Sequence, residues 1–230
     1  MIKKTYEELE KGIIKCRQHC NEGEIDNNML KDIAGLIYDT DPYIYPAMFE
    51  SRDNAIKIIP ELIRKEDKMF QMDNLYIAEY QNKVIGIVLW NKGKLEWSKE
   101  MFIETVKDLR LPVSKYLDMV TEGYINSYAD IDDEIISIVN FCISEEIRGV
   151  GAGKQMMESF IREHEDEILE LCVLEENPAA VRLYQKYGFE ETERYQGFSV
   201  DHRELVCIGM KKTDNKGEKL CLELVLLYYQ

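Results

Sequence analysis

Seven consecutive residues, Arg148-Gly149-Val150-Gly151-Ala152-Gly153-Lys154, have the composition of an anion-binding turn. Glycine lets the backbone approach a ligand closely and adopt left-handed conformations that other residues avoid. A helix starting in such a turn offers the unbonded amides of its first turn, where an anion gains hydrogen bonds and the favourable end of the helix dipole. The flanks predict that setting. Residues 134–143 are rich in β-branched and aromatic side chains and read as a strand, while Gln155-Met156-Met157-Glu158-Ser159-Phe160-Ile161-Arg162 repeats its apolar residues at helical spacing. The guest suited to this strand, turn and helix is a phosphate. A plain tight turn is the alternative reading of the same glycines.

Spacing restricts the phosphate ligand. A P-loop requires glycine five residues before Gly153, where Arg148 stands, and Ser or Thr in the place of Gln155 to reach magnesium. The three-glycine dinucleotide pattern fails as well: begun at Gly149 its last glycine falls on Lys154, and begun at Gly151 it falls on Met156. What fits is Arg/Gln-x-x-Gly-x-Gly/Ala, met by Arg148, Gly151 and Gly153. A second constellation follows. Residues 168–174 read as another buried strand, and Asn177-Pro178 then opens a helix, as N-cap and first helical residue. Gly188 stands where a left-handed residue ends it, giving Asn177, Ala180, Leu183-Tyr184 and Gly188-Phe189 in register. On these two signatures, in this order and separated by one helix and one strand, the chain resembles the GNAT superfamily of N-acetyltransferases.

The resemblance implies a function and a set of roles. The loop of Arg148, Gly149, Val150, Gly151, Ala152, Gly153 and Lys154 would wrap the pyrophosphate of acetyl-CoA, with Asn177 orienting the coenzyme. Main-chain groups of Phe141 and Ile143 would pair with the pantetheine arm, and one such amide would polarise the thioester carbonyl. Tyr184 would be the general acid that protonates the departing thiolate. Tyr43 and Tyr45, in the loop bordering the acceptor in this family, would shape the amine pocket; anchoring that loop by aromatic packing is the alternative. Tyr187 reads as a core residue. A thioester is already activated, so a neutral amine held beside it can attack directly, without a covalent enzyme intermediate. The base is open. Cys172 stands five residues before Asn177, where some members of the family carry glutamate, and a buried thiol accepts protons poorly. Candidates move outward to Asp39 or Asp41, to residues 132–134, or to Asp201 and His202. The missing glutamate motivates the rival reading, a non-catalytic acyl-CoA-binding module.

The resemblance implies an α/β fold to position these residues, with a mixed, splayed sheet flanked by helices. The elements expected ahead of the glycine turn are a strand near 13–17, a helix over 28–38 capped by Asn27 or Asn28, a proline-broken segment at 39–46, a helix over 51–65, and a hairpin of 75–80 and 84–90 turning at 81–83. A helical insertion at 92–133 joins the third and fourth strands, with helices near 99–109 and 113–122. Its Trp97, Phe102, Tyr116, Tyr124 and Tyr128 either cover the acceptor pocket or pack the insertion onto the sheet. One domain over 1–230 is expected, with a core at 12–212 and an extension at 213–230. Alternating leucines at 220–226 would pair with the sheet edge or, in a homodimer, with a second copy.

The 230 residues carry a net charge of -15, from 44 acidic against 29 basic side chains, which disfavours a nucleic-acid partner. The acidity either steers a cationic substrate or keeps the chain soluble. The first eleven residues are mostly charged, unlike a signal peptide, and no stretch approaches the roughly 20 apolar residues of a membrane span. Six cysteines form no secreted framework, and Cys16 and Cys20 lack the second ligand pair that zinc needs. A cytoplasmic protein with no metal is expected, its three histidines far apart and His164 on a solvated helix face.

Overall fold

Apolar alternation along the strands builds a single seven-stranded sheet. The computed structural model describes residues 15–18, 25–81, 83–118, 120, 122, 131–200 and 203–213. Strands β1 (Lys15–Gln18), β2 (Leu75–Tyr80), β3 (Lys83–Lys92), β4 (Ile136–Ile143), β5 (Leu169–Leu174), β6 (Glu190–Val200) and β7 (Arg203–Lys212) lie in the order β1-β2-β3-β4-β5-β7-β6. All neighbours are antiparallel except β4 and β5, which run parallel. The helices are α1 (Asn27–Tyr38), α2 (Ile44–Phe49), α3 (Arg52–Arg64), α4 (Lys99–Asp108), α5 (Ala152–Glu163) and α6 (Pro178–Lys186).

Both faces of the sheet are buried. On β2, Leu75 and Ile77 face the core shared with α1, α2, α3 and α4, while Tyr76 and Ala78 face the core shared with α5 and α6. Period-two alternation sorts side chains to opposite faces, so one strand serves both layers. Helix ends follow their caps. Asp26, rather than Asn27 or Asn28, opens α1 by accepting from the amides of Asn28 (2.7 Å) and Met29 (2.9 Å). Ser51 opens α3 through the Asn54 amide (3.2 Å). The segment expected to be broken by two prolines is only partly so: Pro42 follows α1, but Pro46 sits within the first turn of α2. Proline is tolerated there because first-turn amides have no helical acceptor to lose.

Two irregularities shape the centre. The β4–β5 ladder holds only for Ile136↔Leu169, Ser137↔Glu170 and Ile138↔Leu171; beyond these pairs the strands diverge. Opposite β3, Leu89 pairs with Asn140 and Trp90 with Ile138, which leaves Val139 as an extra residue on β4. Such a bulge bends its strand and re-aims the side chains around it.

The segment between β3 and β4 packs on the α2 side. Phe102 of α4 lies 5.8 Å, centroid to centroid, from Phe49 and from Trp97. The Ser114 hydroxyl donates to the Ala47 carbonyl, and Leu117 and Val120 are buried. Trp97, Phe102 and Tyr116 therefore pack the insertion onto the core. Tyr124 and Tyr128 lie outside the described residues, as do residues 1–14, Asn82 of the hairpin turn, Asp201, His202 and the leucine-rich tail. No described helix is long and apolar enough to cross a membrane.

Candidate active site

Where β4 ends, the chain turns through the glycines into α5. Gly149 (φ 81°) and Gly151 (φ 88°) are both left-handed, and a Cβ on either would meet nothing within 4 Å. Their freedom serves the backbone path, and the space above them is open. Gly153 differs: its Cβ would rest 3.4 Å from Ile143 Cγ1, so the first turn of α5 lies close on β4. The first amide to close back is Gln155, onto the Gly151 carbonyl (3.0 Å). The amides of residues 152–154 precede it, and helical geometry leaves such amides without an acceptor in their own helix. No acidic side chain occupies the first turn of α5. Arg148 folds back, donating from Nε to the Ile143 carbonyl (3.1 Å), which fixes the start of the turn. The result is an open cradle of first-turn amides at the end of β4.

The splay of β4 from β5 opens a cleft of about 310 Å³ beside this cradle. Val139, Asn140 and Phe141 line one wall, with Cys172 and Leu174 opposite. Helix α6 closes one side through Tyr184, whose ring lies edge-on to Phe141 (6.4 Å) and Phe189 (5.8 Å). Burial pushes the Tyr184 phenol above its ordinary range, with the Cys142 thiol adding in the same direction. The phenol therefore keeps its proton at neutral pH. Asn177 caps α6 through the Ala180 amide (3.1 Å) and borders the same cleft.

The other side is closed by the α1–α2 connection and the start of α2. Tyr43 donates to Glu176 Oε2 (2.6 Å), linking this connection to the β5–α6 turn. Tyr45 is fully buried and stacks on Phe49 at 5.8 Å. Its hydroxyl accepts from Asn140 Nδ2 (2.9 Å), and the same amide donates to the Thr40 hydroxyl (2.8 Å). Asn140 thus pins the α1–α2 connection and the start of α2 to β4 beside the bulge. Tyr43 and Tyr45 both border the cleft, as the N-cap and second residue of a helix rather than as loop residues.

The candidate bases separate by position. Asp39 is held by Arg52 (3.0 Å). Asp132 caps the Glu134 amide (2.9 Å) and Glu134 meets Lys92 (3.4 Å), at the end of β4 remote from Phe141. Asp41 lines the cleft, and accepts from the amides of Tyr43 (2.7 Å) and Ile44 (2.6 Å). Burial pushes its carboxyl up, against the pull of those two amides. Cys172 lies in the cleft wall and hydrogen-bonds the Cys207 thiol, drawing that thiol's pKa down.

Sequence reasoning passed over Asn140, Thr40 and Glu176. The signal available for Asn140 was a lone amide in a mostly apolar strand. Two expectations for other residues change. Tyr187 is half-buried and reaches from α6 to the Lys154 carbonyl and Glu158 of α5, both at 3.4 Å, because its phenol needs a polar partner. His164 is not on a solvated face: it lies between Phe160 (4.6 Å) and Trp90 (5.2 Å), since it ends α5 on the sheet side. Among the described residues, no group of three metal-binding side chains converges.

The fold is shared with solved transferases. An N-acetyltransferase from Staphylococcus aureus Mu50 superposes with a TM-score of 0.60 at 17% identity, covering 86% of this chain and 100% of its own. A histone acetyltransferase HPA2-related acetyltransferase from Corynebacterium glutamicum gives 0.56 at 14%, covering 87% and 96%. An Arabidopsis thaliana protein in complex with the bisubstrate analogue CoA-Ac-MVNAL gives 0.51 at 14%, covering 87% and 99%. By sequence, no curated protein matches. The profile of the acetyltransferase (GNAT) family does match, over residues 44–189, which spans α2, the bulged strand, the glycine cradle and the tyrosine helix. The chain belongs to the GNAT acetyltransferase family.

Proposed function

We propose that this protein is an acetyl-CoA-dependent N-acetyltransferase that passes the acetyl group directly to a primary amine. The observation that carries the reading is the contiguity of two sites along β4: the open amide cradle at its end, and the cleft at its bulge with the protonated Tyr184 in its wall. The cradle of residues 148–154 has the charge and space for a diphosphate, and the stretch of β4 from the half-buried Phe141 to Ile143 lies between cradle and cleft. A bound acyl-CoA supplies an activated thioester; the chain supplies alignment, a main-chain donor for the carbonyl, and a proton for the sulfur. Tyr184 is the acid in this reading, Asn177 orients the donor, and Tyr43 and Tyr45 shape the acceptor side.

An amine at neutral pH is mostly ammonium. With an amine pKa of about 10.4, freeing the lone pair at pH 7.4 costs about 4 kcal/mol, so proton removal is a substantial part of the barrier. The rival reading, a non-catalytic acyl-CoA-binding module, rests on Cys172 standing in place of a glutamate. Incubating the full chain with acetyl-CoA and a panel of primary amines, with free thiol as readout, separates the two. A transferase releases thiol in step with the acceptor consumed; calorimetric binding of acetyl-CoA without amine-dependent thiol release would favour the binding module. Among the described residues, Cys16, Cys142, Cys172 and Cys207 form no disulfide, which fits a reducing compartment such as the cytoplasm.

A further inference from the structure

We propose that Asp41 is the catalytic base, and that the acceptor it serves is a cationic amine carrying a second positive charge, of the di- or polyamine type. The inference rests on the transferase reading and deepens it. Its first support is the charge of the cleft. Among the described residues lining it, Asp41 and Glu176 are the carboxylates, and no Lys, Arg or His is present. The guanidinium beyond the rim, Arg194, is engaged by Glu175 and Glu191. An ammonium entering here meets two carboxylates and no cationic side chain among the described lining residues, whereas an acceptor bearing its own carboxylate meets repulsion.

The second support is the division of labour between the two carboxylates. Asp41 lies in the wall, held by the amides of Tyr43 and Ile44, so its position is fixed before any ligand enters. Glu176 is at the exposed rim and is oriented by the Tyr43 hydroxyl at 2.6 Å. One Tyr43 residue therefore ties both carboxylates together, its amide to Asp41 and its phenol to Glu176. The cleft, at about 310 Å³, is at the lower end of small-molecule sites (roughly 300–1,000 Å³), which suits a narrow unbranched chain. The reacting ammonium goes to Asp41 and the distal cation to Glu176.

The third support is the chemistry of burial. The titratable groups that line the cleft with Asp41 are Tyr43 and Tyr45 at the start of α2, Cys172 of β5, Glu176 of the β5–α6 turn, Tyr184 of α6 and Cys207 of β7, and the Cys207 thiol feels the Asp41 charge. Desolvation raises the basicity of the carboxylate, and moving a proton from ammonium to carboxylate converts a buried ion pair into two neutral groups. The ammonium gives one proton to Asp41, freeing its lone pair. That pair forms the C–N bond as the C–S bond breaks, and the thiolate takes the Tyr184 proton. The newly bonded nitrogen loses its second proton, which restores the phenol through water, and Asp41 releases its proton to solvent. The products are the acetamide, the thiol and one proton.

Steady-state kinetics of the full-length protein with 1,4-diaminobutane and 4-aminobutanoate test this, because the two share an amine and differ in the distal charge. The expected kcat/KM favours the diamine at least tenfold. Asp41→Asn keeps an oxygen to cap α2 but loses the charge and the basicity. It should lower kcat/KM for the diamine about 100-fold at pH 7.5, within the range of a lost general base. Because the variant can use only amine that is already neutral, the deficit should shrink below tenfold at pH 10. A structural role for Asp41 would leave the deficit independent of pH, and that result overturns the proposal. So does a variant as active as the wild type, or equal use of both acceptors. Calorimetry with acetyl-CoA keeps the two levels apart: wild type that binds acetyl-CoA but acetylates neither acceptor overturns only the acceptor assignment. Wild type that binds no acetyl-CoA overturns the transferase reading together with it.

Discussion

Removing one oxygen, by Tyr184→Phe, is the sharpest test of the proposed acid. The ring is held edge-on by Phe141 at 6.4 Å and Phe189 at 5.8 Å, and phenylalanine keeps both contacts. Stability should therefore change by no more than about 1 kcal/mol, the net worth of one hydroxyl hydrogen bond. Catalysis should change more. General acids contribute roughly 10²- to 10⁴-fold, and a thiolate, whose conjugate acid has a pKa of about 8.5, is a leaving group that needs only moderate help. The expected loss in kcat is therefore near the lower bound, about 100-fold, equivalent to about 2.7 kcal/mol of barrier. The assay is thiol release at saturating acetyl-CoA and amine, with calorimetry to show that the Kd for acetyl-CoA holds.

The pH dependence adds an independent check. Burial raises the Tyr184 pKa above that of a free phenol, about 10, so wild-type kcat should show no falling limb from this group up to pH 10. Linkage gives the matching stability signature. The native state holds the phenolic proton more tightly than the unfolded chain, so stability is complete below pH 10 and is lost as pH rises through the folded pKa. Tyr184→Phe should abolish that alkaline loss. A variant whose kcat stays within twofold of the wild type from pH 6 to 9 would refute the acid assignment, and leave Tyr184 as a residue that positions the donor.

Gly86→Ala should destabilise the protein by about 1–3 kcal/mol, because the new Cβ would lie 2.5 Å from Ile143 Cδ1, 3.1 Å from Met156 Sδ and 3.2 Å from the Cys142 carbonyl. Gly151→Ala meets open space and should cost about 1–2 kcal/mol of left-handed strain; urea midpoints ranking the two in the reverse order would contradict the packing described. Burial between two aromatic rings lowers the His164 pKa, with Glu167 opposing. Its neutral form is the native one, so stability is present above the unfolded value of about 6.5 and falls as pH drops through the folded pKa. His164→Gln should flatten the stability profile below pH 6.5, and an unchanged slope by chemical denaturation would exclude the assignment. Tyr45→Phe strips Asn140 of one buried partner and should cost about 1 kcal/mol, whereas Tyr43→Phe loses an exposed contact and should raise the acceptor KM with stability held within about 0.5 kcal/mol. Equal effects on stability would deny that the two tyrosines play different parts.

The two halves of the site differ in how far they can be read from sequence, and the reason is physical. The proposed donor half is local. Gly149 and Gly151 stand where the backbone is left-handed, Asn177 and Pro178 where a helix must begin, and Gly188 where it must end, so residue type alone reports geometry. The proposed acceptor half is assembled across the chain. Asn140 meets Thr40 over a separation of 100 residues, and Tyr43 meets Glu176 over 133. No local rule marks these contacts, because a tyrosine that packs and a tyrosine that borders a cleft share the same sequence pattern. Val139 carries no signature of a bulge either; its extra place on β4 appears only when β3 is laid beside it. Even the helix starting at Ile44 was hidden, since Pro46 reads as a breaker unless its position in the first turn is known. The same division explains why the proposed acceptor choice needs the structure: it rests on which carboxylates the connections beside the splayed strands bring to one cleft, and Asp39 and Asp41, two residues apart, end in different places. Arg52 holds the first outside, while the α2 amides hold the second in the wall.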